Sequence, residues 1–182
     1  MKLVIIRRIE TNKDAGLSGE PAAPSPNGHT QIEEVVKTCR TENVQAVIHS
    51  TKDRAIVTAE ALALALNVPS IEQIGLEERN FGDWGQWEWP RIASELDKLT
   101  TEERYTFVPP RGESWQQMEG RLSSALHDIA QLPYESVAIV THWGPIRALL
   151  PILKNEPKES TLQLDVANGQ SFVIEYAGAE SE

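Results

Sequence analysis

Cys39 is the only cysteine in 182 residues, so no intrachain disulfide can form and a cysteine-based metal site is excluded. The four histidines are widely separated and no glycine-rich dinucleotide fingerprint is present, so neither a metal nor an organic cofactor is expected. No apolar run approaches the roughly 20 residues that span a bilayer. The opening MKLVIIRR has too short an apolar run and the wrong flanks for a secretory signal, which makes the cytoplasm the expected location. Positive charge is in deficit, with 17 Lys and Arg against 27 Asp and Glu, a net charge of −10. A field of that sign repels nucleic acid and acidic membranes, and neither is an expected partner. Any cationic pocket must therefore be local, a few arginines set in an acidic shell.

The apolar and charged fractions, 40% and 24%, are those of an ordinary globular protein. The length fits one domain with a sizeable core. With no internal repeat and no linker, residues 1–182 are expected to form a single domain.

Leu3, Val4, Ile5 and Ile6 make a continuous apolar run, which predicts a strand from Lys2 to Ile6 buried on both faces. Arg7, Arg8, Glu10 and Thr11 then arrive together at its carboxyl end, where open α/β sheets place ligands. Arginine stays protonated and has no lone pair to offer, so this pair can bind an anion but cannot attack one.

The stretch Leu17–Gly28, rich in Pro, Gly and Ser, reads as a loop. In HTQIEEVVKTCR, Ile32, Val35, Val36 and Cys39 fall at helical spacing, with Cys39 on the buried face. A strand from about Val44 to His49 leads into a helix lined by Ile56, Ala59, Leu62, Ala63 and Leu66, with Asn67 ending it ahead of Pro69. This βαβα order implies parallel strands with right-handed crossovers. Between Ile74 and Pro110 the pattern is less regular. Trp84, Trp87 and Trp89 crowd together there, as a pocket wall or a satellite hydrophobic cluster. Thr100 to Glu103 offers a capping box. A long helix follows, with Trp115, Met118, Leu122, Ala125, Leu126 and Ile129 on one face. VAIVTHWGPIRALLPIL reads as a third buried strand running into a helix, ANGQSFVIEYAG as a turn and final strand, and the acidic end EYAGAESE as a frayed, solvated tail.

Three strands thus end in polar residues that would gather on one sheet edge: Arg7 and Arg8, then His49, Ser50 and Arg54, then Thr141 and His142, with Glu78 and Glu113 from intervening loops. Arginines, a histidine and a carboxylate on one rim are the parts that hold a phosphate and move a proton to or from it.

The order IIRRIETN, HSTKDRAIVTAEAL, LEERNFGDWGQW, RGESW, VAIVTHWGPIRALL and ANGQS resembles the histidine phosphatase superfamily, which includes cofactor-dependent phosphoglycerate mutases, over nearly the whole chain. The resemblance implies a three-layer α/β/α sandwich with a mainly parallel sheet and one antiparallel strand. It also implies a phosphorylated small molecule or another anion as ligand. In that family the first strand ends in Arg-His-Gly, and the histidine is the nucleophile that becomes phosphorylated. Carried over by position, Arg7 and Arg54 are the phosphate-binding arginines, His142 is the second pocket histidine, and Glu78 is the proton donor, with Glu77 beside it as the competing choice. Arg8 stands at the nucleophile's position, Ile9 replaces the following glycine, and Trp143 replaces a glycine common after the second histidine.

Arg8 removes nucleophilic catalysis, because acid–base help alone supplies only about 10²–10⁴ of accelerations that reach about 10²¹ for phosphate monoesters. The first expectation is a divergent family member in which Arg7, Arg8, Arg54 and His142 bind an anion without phosphotransfer. The alternative is an active phosphomonoesterase using His142, His49 or water. For His142 the competing reading is a hydrogen-bonded core histidine. For His49 a packed histidine is the expectation.

Overall fold

The apolar run after Lys2 forms β1 (Lys2–Arg7), and four further strands follow: β2 (Ala46–His49), β3 (Ser70–Glu72), β4 (Ser136–Thr141) and β5 (Ser171–Glu175). In the computed structural model, which describes residues 1–161 and 164–177, they make one sheet in the order β3-β2-β4-β1-β5. β1 runs parallel to β4 with Arg7 opposite Thr141, and β2 runs parallel to β4 with His49 opposite Val140. β3 is parallel to β2, and only β5 is antiparallel, along the other side of β1.

The helices α1 (Pro26–Thr41), α2 (Asp53–Leu66), α3 (Trp89–Leu96), α4 (Thr101–Thr106), α5 (Trp115–Ala130) and α6 (Trp143–Lys154) complete the described elements, with short 3₁₀ turns between them. Period-two alternation divides the strand residues between two cores. Val4, Ile6, Val47, Ala138 and Val140 pack with Val35, Cys39, Ala59 and Leu62 of α1 and α2. Leu3, Ile5, Ile48 and Ile139 pack on the opposite face with Met118, Leu122, Leu126, Ile146 and Leu149 of α5 and α6. Covering both faces is why the central strands read as continuous apolar runs. The result is the three-layer α/β/α sandwich, mainly parallel with one antiparallel strand.

Local chemistry accounts for the differences from the sequence reading. α1 begins at Pro26, so the loop ends at Ser25. The Ser25 hydroxyl accepts the Gly28 N–H, and Pro26 fits the first turn because its missing N–H needs no partner there. β2 starts at Ala46, two residues later than expected. β3 is three residues long and not buried, too short to leave an apolar run. α3 buries only Ile92 and Leu96, too few to show a period. The capping box at Thr100 and Glu103 forms, and starts α4. From residue 178 onward the acidic tail lies outside the described residues. Among the described residues, no helix is long and apolar enough to cross a membrane.

Candidate functional site

Parallel pairing brings the carboxyl ends of β1, β2 and β4 to one edge of the sheet, where Arg7, Arg8, Arg54 and Glu78 line two clefts and His142 lines neither. Arg7 and Glu78 line a large one of about 1120 Å³. Arg8 and Arg54 line a smaller one of about 430 Å³. The groups still act on one another: Arg54 and Arg7 both pull down the Glu78 pKa, and Arg54 and Arg8 pull down that of His142.

His142 is the N-cap residue of α6 and is 1% exposed. Its Nε2 lies 2.8 Å from Ser50 Oγ, a hydroxyl that already accepts the Lys52 backbone N–H at 3.3 Å. The 2.8 Å separation fits both tautomers: Ser50 donates to a bare Nε2, or accepts from Nε2–H. Nδ1 is buried without a hydrogen-bond partner. Burial, reinforced by the nearby cations, holds the ring's pKa well below the usual histidine range, so the ring is neutral at pH 7.

Arg7 donates through a terminal nitrogen to the Val166 carbonyl, and its Nε is buried without a partner. Burial lowers its pKa, with Arg8 adding to the effect, but an arginine starts so high that it remains charged. The backbone here is gripped by the ANGQ turn. Arg7 N donates to Gln170 O at 3.0 Å, and Gly169, at φ +73°, returns its N–H to Arg7 O at 3.0 Å. Only a residue at ease with positive φ makes that turn without strain.

Glu78 Oε1 accepts the Arg79 N–H at 2.9 Å and Oε2 the Gly144 N–H at 3.4 Å, at the start of α6. Burial pushes its carboxyl above the usual range, against those two hydrogen bonds and the pull of Arg54 and Arg7. The fit depends on Gly144, where a Cβ would lie 2.4 Å from Glu78 Oε1. Gly144→Ala therefore displaces the carboxyl and destabilises the fold by about 1–3 kcal/mol in urea unfolding. Gly120→Ala, inside α5 with open space around it, stabilises it by about 0.5–1 kcal/mol in the same measurement.

Arg8 does not join Arg7. Its guanidinium forks onto Asp14, with NH2 to Oδ1 at 2.9 Å and NH1 to Oδ2, and NH1 also reaches Ile9 O at 3.1 Å. Asp14 thus accepts two of the five guanidinium donors, and Arg8 lines the smaller cleft beside Arg54. Ile9 is fully buried, and its N–H donates to Thr58 Oγ1 at 3.2 Å. It is not among the positive-φ residues, so the loop carries no strain from the missing glycine.

Burial pushes the Asp14 carboxyl up, but hydrogen bonds from Arg8 and from Thr11 outweigh it and hold the pKa at about 2. The sign follows from comparison with the unfolded chain. A folded pKa below the ordinary 3.8 means that the unfolded chain takes up the proton first. The pair's stabilisation is therefore present above about pH 4 and is lost as pH falls through about 2. Urea unfolding at a series of pH values should show Asp14→Asn less stable than the parent at neutral pH, with the difference shrinking down this acid limb.

The remaining candidates separate cleanly. His49 hydrogen-bonds through Nδ1 to the Ser50 carbonyl at 2.9 Å and lines neither cleft, as the packed reading expects. Glu77 faces Thr51 and Lys52, whose Nζ is 3.0 Å away, while its neighbour Glu78 lines the large cleft. Glu113 accepts Asn80 N and two donors of Arg121. Arg121, which sequence reasoning missed, also donates to Gly75 O at 2.8 Å and Glu78 O at 3.2 Å, clamping the loop that carries Glu78. Its only sequence signal was a cation on the polar side of α5. Trp87 and Trp89 line the large cleft together with Trp143. Trp84 stacks on Trp87 at 5.0 Å and meets Phe107 at 5.2 Å, a satellite cluster beside the cleft. Among the described residues no group of three or more His, Cys, Asp or Glu could hold a metal ion.

Comparison with known proteins agrees with this arrangement. The model of the histidine phosphatase superfamily (branch 1) matches residues 8–182. The 2,3-bisphosphoglycerate-dependent phosphoglycerate mutase of Cytophaga hutchinsonii is 26% identical over 164 residues, 84% of this chain and 76% of the relative. The fold matches the alpha-ribazole phosphatase from Shigella flexneri with a TM-score of 0.77 at 23% identity, covering 96% of this chain and 90% of the other. It also matches a mycobacterial glucosyl-3-phosphoglycerate phosphatase in complex with VO3, with a TM-score of 0.75 at 22% identity, covering 94% and 90%. The chain belongs to the histidine phosphatase superfamily, branch 1.

Proposed function

We propose that this member of the histidine phosphatase superfamily binds a phosphomonoester through Arg7, Arg54, His142 and Glu78, and does not pass the phosphoryl group through a phosphohistidine. One observation carries the binding half of the reading. Of three buried side-chain polar atoms without partners among the described residues, two are Arg7 Nε and His142 Nδ1. Arg7 Nε is a donor, and His142 Nδ1 is one in the tautomer where Ser50 donates to Nε2. Arg7 pairs in register with Thr141, the residue before His142. A buried donor left unsatisfied costs about 1–3 kcal/mol, and an anion seated beside Arg7 offers its Nε an acceptor. The Arg54 guanidinium, which makes no side-chain hydrogen bond or ion pair among the described residues, adds a cation in the small cleft. Burial raises the Glu78 pKa, which lessens its repulsion of a bound phosphate. Structures of the mycobacterial phosphatase with VO3 and with inorganic phosphate support an oxyanion as the ligand.

The chemistry of the same groups supports the second half. Arg8, at the nucleophile's position, is tied to Asp14 and has no lone pair. His142 Nε2 is in hydrogen-bond contact with Ser50, and neither His142 nor His49 lines either cleft. The raised pKa of Glu78 favours one further reading, in which Glu78 moves a proton for direct attack by water.

Calorimetric titration with phosphate and vanadate, run beside turnover of p-nitrophenyl phosphate, tests the proposal. Binding with no turnover above that of a Glu78→Gln variant is the expected result. Turnover that Glu78→Gln abolishes establishes the water route. Absence of binding to either anion overturns the pocket.

A further inference from the structure

We propose that the large cleft is a recognition chamber for a planar aromatic phosphomonoester, with Trp89 as the ring on which the ligand's aromatic group stacks; this rests on the phosphate-binding reading above. The cleft opens from Arg7 and Glu78 and runs between α3 and α6 with a volume of about 1120 Å³. A site that recognised phosphate with only a short aliphatic group needs far less, since pockets of roughly 300–1,000 Å³ already enclose drug-sized ligands. The space beyond the arginine therefore serves the organic part of the ligand.

Its walls specify what that part is. Phe81, Trp87, Trp89, Tyr105, Trp115 and Trp143 all line the chamber, in a chain that is only 6% aromatic. Most of these rings are already covered. Trp87 has Trp84 stacked at 5.0 Å and the Arg91 guanidinium 3.7 Å from its centroid. Trp143 lies under Arg147 at 4.1 Å, and Tyr105 under Lys158 at 3.5 Å. Trp89 differs. Its ring contacts, with Phe81 at 6.2 Å and Trp143 at 5.7 Å, are both edge-on, at 73° and 70°, and the residue is 51% exposed. It has no stacked partner, and a tryptophan left half in water at the mouth of a cleft gains most by covering a flat apolar ring.

The cations of the chamber beyond Arg7 already hold protein partners. Arg79 donates to the Glu113 and Phe107 carbonyls. Arg104 is engaged by Asp97 and Leu99 O. Arg147 lies over Trp143 and donates to Thr161 O. Lys158 lies over Tyr105. The distal wall thus offers rings to stack on, with cations committed to the protein itself.

The test is calorimetric titration of the full chain with inorganic phosphate, O-phosphoserine and 1-naphthyl phosphate. The naphthyl ester is expected to bind at least about tenfold more tightly than inorganic phosphate, a difference of about 1.4 kcal/mol, while phosphoserine gains no such advantage. Trp89→Ala is expected to bring the naphthyl-to-phosphate affinity ratio close to one, and Trp89→Phe, which keeps a flat ring, to retain most of it. Equal affinities for the naphthyl ester and phosphoserine, or a ratio that Trp89→Ala leaves unchanged, overturn the aromatic chamber while the phosphate pocket stands. No binding of any of the three anions overturns the pocket itself, and the chamber with it.

Discussion

Arg8→His is expected to raise phosphomonoesterase activity at least about a hundredfold over the parent chain, because on the function proposed above it supplies the nucleophile that the site lacks. The main chain at position 8 is held independently of its side chain. Its N–H donates to Thr141 O at 2.9 Å, and its carbonyl accepts from Asn168 Nδ2 at 3.1 Å. An imidazole introduced there is carried by a main chain already fixed at the end of β1, on the side of Arg54. In a pre-organised site, loss of the nucleophile alone can cost about 10⁶ in kcat, so restoring it recovers a large factor even when the geometry is imperfect. The gain has a structural cost. Asp14 loses the guanidinium that holds its pKa at about 2, so its carboxyl returns toward the ordinary range and Arg8→His unfolds more easily than the parent. Combining it with Asp14→Asn separates the two effects. Turnover of p-nitrophenyl phosphate and acid-quenched trapping of a phosphorylated protein are the measurements. Equal turnover by the parent and by Arg8→His would falsify the assignment of position 8.

The second large effect is the loss of anion binding when either pocket arginine is removed. Arg7→Ala and Arg54→Ala should each weaken phosphate binding by about 10- to 150-fold, the equivalent of about 1.5–3 kcal/mol for a hydrogen bond to a charged group. The two variants differ in what they do to the fold. Arg7 also donates to the Val166 carbonyl, so its removal leaves that acceptor to find another partner. Arg54 makes no such contact, and its loss should leave stability nearly unchanged. Lysine does not rescue position 7, because a point charge cannot supply both the Val166 bond and the Nε donor. Either substitution also removes a cation that pulls the Glu78 pKa down, so that carboxyl moves further up. Calorimetry with phosphate, beside urea unfolding of each variant, reads both quantities, and full phosphate affinity in either variant contradicts its place in the pocket.

Much of the frame was legible because its causes are local or periodic. Continuous apolar runs marked β1 and β4, since strands buried on both faces have no polar face to alternate with. Helical spacing marked α2 and α5, and Asn67 adopts the left-handed C-cap expected of it. β3 and α3 escaped because three unburied residues and a two-residue apolar face carry no readable period. The residue types of the site were also legible, because an arginine pair at a strand end suits anions and little else.

The contacts of those residues were decided only in three dimensions. Glu77 and Glu78 are neighbours of identical chemistry, yet one faces Lys52 and the other the cleft, because the turn before them is clamped by Arg121 from α5. His142 owes its hydrogen-bond partner Ser50 to a segment 92 residues away in the chain. Arg8 reads in the sequence as a second free cation, and in the fold it is bound to Asp14. The sequence by itself determined the layers of the sandwich, the family and the kinds of side chain at the sheet edge, because burial patterns and short motifs are written in consecutive residues. The tertiary structure alone decided which of those side chains remain unpartnered, because a hydrogen bond between distant segments depends on where both ends arrive.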